Sequence, residues 1–179
     1  MDGSKASHQL EEGVFITVPR AQYEFIRLMA FGKLDDPLAT ASQKAYRDLQ
    51  RTINYLGAEQ GIRYDLRIEI EQTAKRDFPC VFARNGITLA EYDEWHEALC
   101  KKIIAIYQQK GFEFHLGQAQ KWVNMMMKYL YVLQTPEVER IIPVLHVPID
   151  NYIYQQAEEE LLVPRINCCW SKIDSYELY

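Results

Sequence analysis

The sequence lacks the short motifs that mark the commonest nucleotide-dependent and metal-dependent enzymes. It contains no P-loop, no G-x-G-x-x-G, no H-E-x-x-H, no G-x-S-x-G and no EF-hand loop. Nucleotide hydrolysis, dinucleotide redox chemistry and zinc peptidase chemistry therefore have no support from motifs. We expect no bound cofactor.

Cysteine is scarce, and long apolar runs are missing. None of the four cysteines lies in a C-x-x-C spacing, so we expect no metal site. The adjacent Cys168 and Cys169 do not suit the geometry of a mutual disulfide, and we expect free, buried thiols in a reducing compartment. No apolar run reaches about 18 residues, and the N-terminus has no basic segment followed by an apolar one. We therefore expect a cytoplasmic protein without a membrane partner.

The overall composition is that of a globular domain, but its charge is unevenly distributed. Hydrophobic residues make up 48% and charged residues 25% of the 179 residues, an ordinary balance for a folded chain. The net charge of −5 speaks against a dedicated nucleic-acid binder. Residues 99–131, however, contain Glu113 as their single acidic residue and several lysines: Lys101, Lys102, Lys110, Lys121 and Lys128. This segment predicts a locally basic face.

The pattern of apolar residues predicts a mainly α fold. We expect a mobile tail at residues 1–13 and a single helical domain over residues 14–179. The clearest helix begins at Thr88, because Thr88 and Glu91 form a capping-box pattern, and it ends before Gly111. Caps, glycines and prolines place the other helices at residues 19–31, from Thr40 or Ser42 to Leu56, from about Lys121 to Leu133, and from Asp150 to Leu162, with a short last helix capped by Ser171.

Residues 62–70 are the ambiguous part of this pattern. Apolar residues alternate with polar ones at Ile62, Tyr64, Leu66, Ile68 and Ile70, and a period of two favours a half-buried strand. A lone strand is not stable. The alternatives are therefore a small β-hairpin near residues 62–83 or a helix.

Two short motifs point to a chemistry. Gly117 to Lys121 reads G-x-A-x-K, and Pro148 to Asp150 reads P-x-D at a predicted helix start. Residues 111–157 thereby resemble the helix-hairpin-helix DNA glycosylases, and among them the 8-oxoguanine DNA glycosylase type. In that family a G-x-G-x-K hairpin and a P-x-D element each lead into a helix. Here Ala119 stands in place of the second glycine.

The resemblance implies DNA repair by a glycosylase and lyase, in which a lysine forms a Schiff base. Lys121 would be the nucleophile, and Asp150 the carboxylate that assists it. The backbone of Gly117, Gln118, Ala119 and Gln120 would contact a DNA phosphate. Excision also requires a flipped base to stack on aromatic rings, and the rings near these motifs in sequence are Trp122, Tyr129 and Tyr152.

A structural interpretation of the same residues stays open. Lys121 would then be a solvated residue in the first turn of a helix, and Asp150 would only cap the next helix. The four histidines would be packed or solvated rather than act as bases or ligands. The protein would be a non-catalytic helical binding protein with a protein or small-ligand partner, such as a bacterial or phage accessory protein.

Overall fold

The computed structural model describes residues 19–32, 34–84 and 86–179. Within these ranges the protein forms seven α-helices and no strand, so the predicted mainly α fold is confirmed. The helices are α1 Arg20–Phe31, α2 Pro37–Leu49, α3 Ile62–Phe82, α4 Leu89–Gln109, α5 Leu116–Val132, α6 Pro136–Glu139 and α7 Asn151–Leu161. Short 3-10 turns occupy Gln50–Thr52, Ile142–Val144 and Trp170–Lys172. The tail predicted at residues 1–13 lies outside the described residues.

The possible β-hairpin near residues 62–83 is wrong, because α3 spans this segment. The buried residues of α3 are Leu66, Ile70, Thr73, Ala74, Phe78 and Val81, which recur at helical spacing. From the alternating run, the helix buries only Leu66 and Ile70, and Tyr64 is left 59% exposed. The alternation covers only residues 62–70, whereas buried residues continue at helical spacing from Leu66 to Val81.

Helix starts follow the sequence signals in most places. Thr88 caps α4 through a capping box with Glu91, and Asp150 caps α7 by accepting a hydrogen bond from the Ile153 N–H. The predicted start of α2 at Thr40 or Ser42 is wrong: Asp36 is the cap, since its side chain accepts from the Ala39 N–H and Pro37 opens the first turn. The predicted Ser171 cap is also wrong, since Cys169 precedes the last 3-10 turn.

The core is built around α5. Helices α2 and α4 both pack against α5, and α3 packs against α2 and α4, so that these four helices surround one hydrophobic core. Every residue from Leu116 to Met127 is buried. A helix buried on all its sides is usually apolar all round. The polar side chains within α5 therefore need partners inside the protein.

Two further expectations from composition can be compared with the fold. All four cysteines are free, but only Cys100 is buried, and the expectation of buried thiols is wrong for Cys80, Cys168 and Cys169. Among the helices of the described residues, none is both long enough and apolar enough to cross a membrane.

Candidate functional site

Helix α5 carries four buried polar side chains, Gln118, Gln120, Lys121 and Asn124, and each has a hydrogen-bond partner outside the helix. Gln118 donates to the backbone carbonyl of Thr52. The other three lie on one side of the helix, because Asn124 follows Gln120 by four positions and Lys121 by three, and both spacings make neighbours on a helical surface. We call these three residues, Gln120, Lys121 and Asn124, the polar face of α5. It faces the segment before α7 and the C-terminal residues.

Lys121 and Asp150 form the centre of this face. The Nζ of Lys121 lies 2.5 Å from the Oδ2 of Asp150, and the two side chains are 8% and 32% exposed. The other oxygen of Asp150 accepts a hydrogen bond from the Ile153 N–H at 3.0 Å, which caps α7. The interpretation of Lys121 as a solvated residue is therefore wrong. Asp150 is both a helix cap and the partner of the buried ammonium.

The Asp150 carboxyl is held in its charged form. Burial raises its pKa, but hydrogen bonds from the Lys121 ammonium and from the backbone N–H groups of Ile153 and Tyr152 more than offset burial. The pKa therefore lies below its ordinary value of 3.8. Its position at the N-terminus of α7 also favours the negative charge.

Gln120 fixes the backbone that carries Asp150. Its amide nitrogen donates to the Ile149 carbonyl at 3.1 Å, and its amide oxygen accepts from the Ile149 N–H at 3.2 Å. The same side chain donates to the Gly117 carbonyl at 2.8 Å. Because Gln120 is fully buried, these bonds do not compete with water. They hold Ile149, which precedes Asp150, against Gln120, which precedes Lys121.

The C-terminal segment covers the start of α5. The Gly117 N–H donates to the Ile173 carbonyl at 2.9 Å. A Cβ atom on Gly117 would lie 1.8 Å from the Trp170 carbonyl oxygen, so that glycine is required here by a close backbone approach. The Trp170 ring lies 6.0 Å from the Lys121 Nζ, which is within reach of a cation–π interaction.

A second series of hydrogen bonds begins at Asn124 on the polar face of α5. The Asn124 amide donates to the Tyr179 hydroxyl at 2.6 Å, and that hydroxyl lies 3.1 Å from the Nδ1 of His146. The Nε2 of His146 lies 2.7 Å from the Oδ1 of Asp93. His146 is therefore neither solvated nor simply packed, since both of its ring nitrogens have polar partners.

The structure places the predicted DNA-contacting segment inside α5 rather than in a hairpin before it. Gly117 to Gln120 are buried residues of the first turns. The N–H of Gly117 donates to Ile173, and the N–H groups of Gln118 and Ala119 donate to His115. These backbone donors are already engaged within the protein. The predicted hairpin is wrong as a local structure.

The three rings predicted to stack a base differ in exposure. Trp122 is fully buried, packs 5.3 Å from the Tyr46 ring and donates to the Ser42 carbonyl, so it has no free face. Tyr129 is partly buried, and its hydroxyl donates to Asp48. Tyr152, in the first turn of α7, is 66% exposed. Of the three, only Tyr152 offers an open ring beside Asp150.

The lysines of residues 99–131 are largely neutralised within the protein. Lys101 pairs with Glu97, Lys102 with Asp77 and Lys121 with Asp150. Within the described part of the chain, Lys110 and Lys128 form no ion pair. The basic face is therefore smaller than the sequence predicts. Also within the described ranges, no group of three His, Cys, Asp or Glu side chains could hold a metal ion.

The sequence motifs indicate Lys121 and Asp150 but not most of the network around them. They predict a backbone role for Gln120, whereas its side chain makes the contacts, and they predict no site role for Asn124, His146 or Tyr179. One signal was available: polar residues at positions 120, 121 and 124 interrupt an otherwise apolar helix at the spacing of one face.

Comparisons with protein-family models, with curated proteins and with solved structures found no match to this chain.

Proposed function

We propose that the protein is a glycosylase-like enzyme that acts on DNA, in which Lys121 is the nucleophile and Asp150 the assisting carboxylate. The observation that carries the proposal is the 2.5 Å contact between the Lys121 Nζ and the Asp150 Oδ2, with the lysine side chain only 8% exposed. An enzyme that excises a base through a Schiff base needs an amine shielded from water and a neighbouring group to accept its proton.

The pair contains the groups that the first step needs. When bound DNA covers the pair and excludes water, the surroundings favour uncharged groups. The Lys121 ammonium then transfers one proton to the Asp150 carboxylate, which leaves a neutral amine beside a carboxylic acid. The amine lone pair then forms a bond to the sugar C1′ while the bond from C1′ to the base breaks. The electron pair of the broken bond leaves with the base, which takes up the proton of the Asp150 acid. This sequence returns Asp150 to its carboxylate form.

Asp150 then serves a second proton transfer. The nitrogen attached to C1′ is positively charged after attack, and it gives one proton to the carboxylate. Its lone pair forms a double bond to C1′ as the bond from C1′ to the ring oxygen breaks, and the ring oxygen takes the proton from Asp150. The product is a protonated Schiff base between Lys121 and the opened sugar. Borohydride reduces this species to a stable secondary amine.

Three features support access of DNA to this pair. Asp150 is about one third exposed, so the pair can be reached from its side. The exposed Tyr152 ring lies two residues further on and can stack on a base. Lys128 lies two helical turns beyond Lys121 and is exposed, which makes it available to a phosphate.

The proposal is tested by covalent trapping. The protein is incubated with one duplex that contains an abasic site and another that contains 8-oxoguanine, and borohydride is added. We expect a trapped protein–DNA adduct that is lost in Lys121→Gln. Asp150→Asn keeps a good helix cap but cannot accept the proton, so trapping should slow by about 100-fold or more.

The control is Lys110→Gln, because Lys110, which follows α4, is an exposed lysine to which the proposal gives no role. Its trapping should stay within a few-fold of the unchanged protein. Each variant is checked for a cooperative unfolding transition first. The proposal is wrong if neither duplex is trapped by the folded protein, or if Lys121→Gln is trapped as efficiently as the unchanged protein.

A further inference from the structure

A cavity of about 410 Å³ opens beside the polar face of α5. Its wall combines the rings of Tyr176 and Tyr179 with the Asp93–His146 pair, and its remaining lining is aliphatic: Leu89, Val147 and Ile149. A volume in this range is typical of sites for small molecules. We call it the two-tyrosine cavity. Neither Lys121 nor Asp150 lines this cavity, but Ile149, the residue before Asp150, does.

The polar side chains of the cavity wall bond to each other. The Tyr179 hydroxyl accepts from the Asn124 amide and also lies 3.1 Å from the Nδ1 of His146. The Nε2–H of His146 donates to the Oδ1 of Asp93, since a carboxylate only accepts. These contacts engage Tyr179, His146 and one oxygen of Asp93 within the protein.

The second tyrosine is also occupied on its polar side. The Tyr176 hydroxyl lies 3.0 Å from the Nδ1 of His96, which is fully buried behind the cavity. Burial, with the neighbouring His146, lowers the pKa of His96 to about 3, so that His96 adds no positive charge behind the wall. Both tyrosines line the cavity, and each has its hydroxyl within hydrogen-bond distance of a histidine nitrogen.

Among the lining residues Asp93 carries the single acidic group, and this carboxylate is accessible to a ligand. Its side chain is 41% exposed. Among the described residues its only hydrogen-bond partner is His146, which engages Oδ1 and leaves Oδ2 free. A free carboxylate oxygen next to two aromatic rings attracts cations, through a charge-assisted hydrogen bond and through the negative faces of the rings.

We propose that the two-tyrosine cavity binds a small organic cation that carries N–H groups on a flat or apolar body. The N–H groups donate to the free oxygen of Asp93, and the body packs on Tyr176, Tyr179 and the aliphatic lining. This activity is independent of the Lys121 chemistry, because no atom of Lys121 lines the cavity.

The test uses three probes of nearly the same shape: benzamidinium, benzamide and benzoate. Their binding to the protein is followed by NMR titration, in which saturable chemical-shift changes give a dissociation constant. Benzamidinium should bind at least about 10-fold more tightly than benzamide, because its hydrogen bonds to the carboxylate are charge-assisted. Benzoate should be weaker still. Equal binding of the three probes, or saturation by none of them, would overturn the proposal without any variant.

Two variants assign the effect to Asp93. Asp93→Asn keeps the size of the side chain and an oxygen for His146, and it should weaken benzamidinium by about 10-fold or more while leaving benzamide nearly unchanged. The control is Glu94→Gln, which removes the same charge from the next, exposed position of α4 and should leave benzamidinium binding unchanged. Benzamidinium should also bind Lys121→Gln normally, so failure of trapping and failure of this cavity are separate results.

Discussion

Two lysine–aspartate pairs in this protein share the same local design. Asp36 caps α2 and Asp150 caps α7, each accepting from a backbone N–H at 3.0 Å. Asp36 lies 2.6 Å from the Nζ of Lys75, and Asp150 lies 2.5 Å from the Nζ of Lys121. Judged by distance and by the capping role alone, the two pairs are nearly equal.

The two pairs differ in their exposure to solvent and in the number of carboxylates that contact the lysine. The side chains of Lys75 and Asp36 are 40% and 48% exposed, and Lys75 also binds Glu71 at 2.8 Å. Lys121 is 8% exposed, and its only carboxylate partner among the described residues is Asp150. Water screens the first pair, whereas the second must balance its charges internally. Burial, rather than the presence of the pair, marks Lys121 and Asp150 as the candidate site.

The largest expected difference between the pairs is in stability. Lys121→Gln removes the partner of a partly buried carboxylate, and it should lower the free energy of unfolding by about 2–3 kcal/mol, somewhat less than for a fully buried pair. Lys75→Gln should cost less than about 1 kcal/mol, as for exposed pairs. Urea unfolding of both variants beside the unchanged protein measures the two values.

Salt provides the control for this comparison. Raising the ionic strength should shrink the effect of Lys75→Gln, because exposed charges are screened, and should change that of Lys121→Gln much less. If the two substitutions cost the same and respond to salt alike, the Lys121–Asp150 pair is as solvated as the surface pair. Burial would then not distinguish Lys121 and Asp150 from the surface pair.

The next largest effect on stability concerns Gln120, which binds the backbone of Ile149 beside the buried pair. Gln120→Leu keeps an apolar stem but leaves the N–H and the carbonyl of Ile149 without their side-chain partner. Unpaired buried groups cost about 1–3 kcal/mol each, and we expect a net loss of about 2 kcal/mol after the gain in apolar burial. The control is Gln50→Leu, since Gln50 is exposed and its change should stay within about 0.5 kcal/mol.

The same variant also tests function. If Gln120 positions Asp150 against Lys121, Gln120→Leu should slow trapping on abasic DNA even under conditions where the protein is folded. A loss of stability with unchanged trapping would show that the Ile149 contacts hold the fold and not the pair. Gln50→Leu should change neither measurement.

Much of the fold could be predicted from local signals. The capping box at Thr88 and the cap at Asp150 act within one helical turn, and sequence alone gives both correctly. Residues 62–70 could not be assigned, because the choice between strand and helix depends on what the apolar residues pack against. Helix α3 buries Leu66 and Ile70 against its neighbours, and tertiary packing overrides the local alternation.

The candidate site was predicted in part. The motifs indicate Lys121 and Asp150 as a pair, and the two side chains are in contact. The same motifs assign Gly117 to a hairpin, whereas Gly117 lies inside α5 and is needed there by the Trp170 carbonyl. Partners such as Tyr179, which is 55 positions from Asn124, cannot be found from spacing, because the contact depends on how the C-terminal segment returns to α5.

The smallest expected effect is in the pH dependence of stability. Contacts with Lys75 and with the Ala39 N–H lower the pKa of Asp36, and contacts with Lys121 and with backbone N–H groups lower that of Asp150 against the opposing effect of burial. A carboxyl whose pKa is lower in the folded state stabilises the protein fully above its ordinary value, here 3.8 for both groups. This contribution is lost as the pH falls below 3.8 through the folded-state pKa.

Asparagine substitution separates the two carboxyls. Asp36→Asn and Asp150→Asn each keep a helix cap and remove one titrating group, so each should reduce the loss of stability below pH 4. Near neutral pH, Asp36→Asn should cost about 1 kcal/mol or less, whereas Asp150→Asn leaves the buried Lys121 ammonium without its partner and should cost about 2–3 kcal/mol. High salt should weaken the effect at Asp36 more than that at Asp150, since the pair of Asp150 with the buried Lys121 is less exposed to solvent. Urea unfolding at several pH values and two salt concentrations measures both. A pH profile that Asp150→Asn leaves unchanged would mean that this carboxyl has the same pKa in the folded and unfolded protein, contrary to its contact with Lys121.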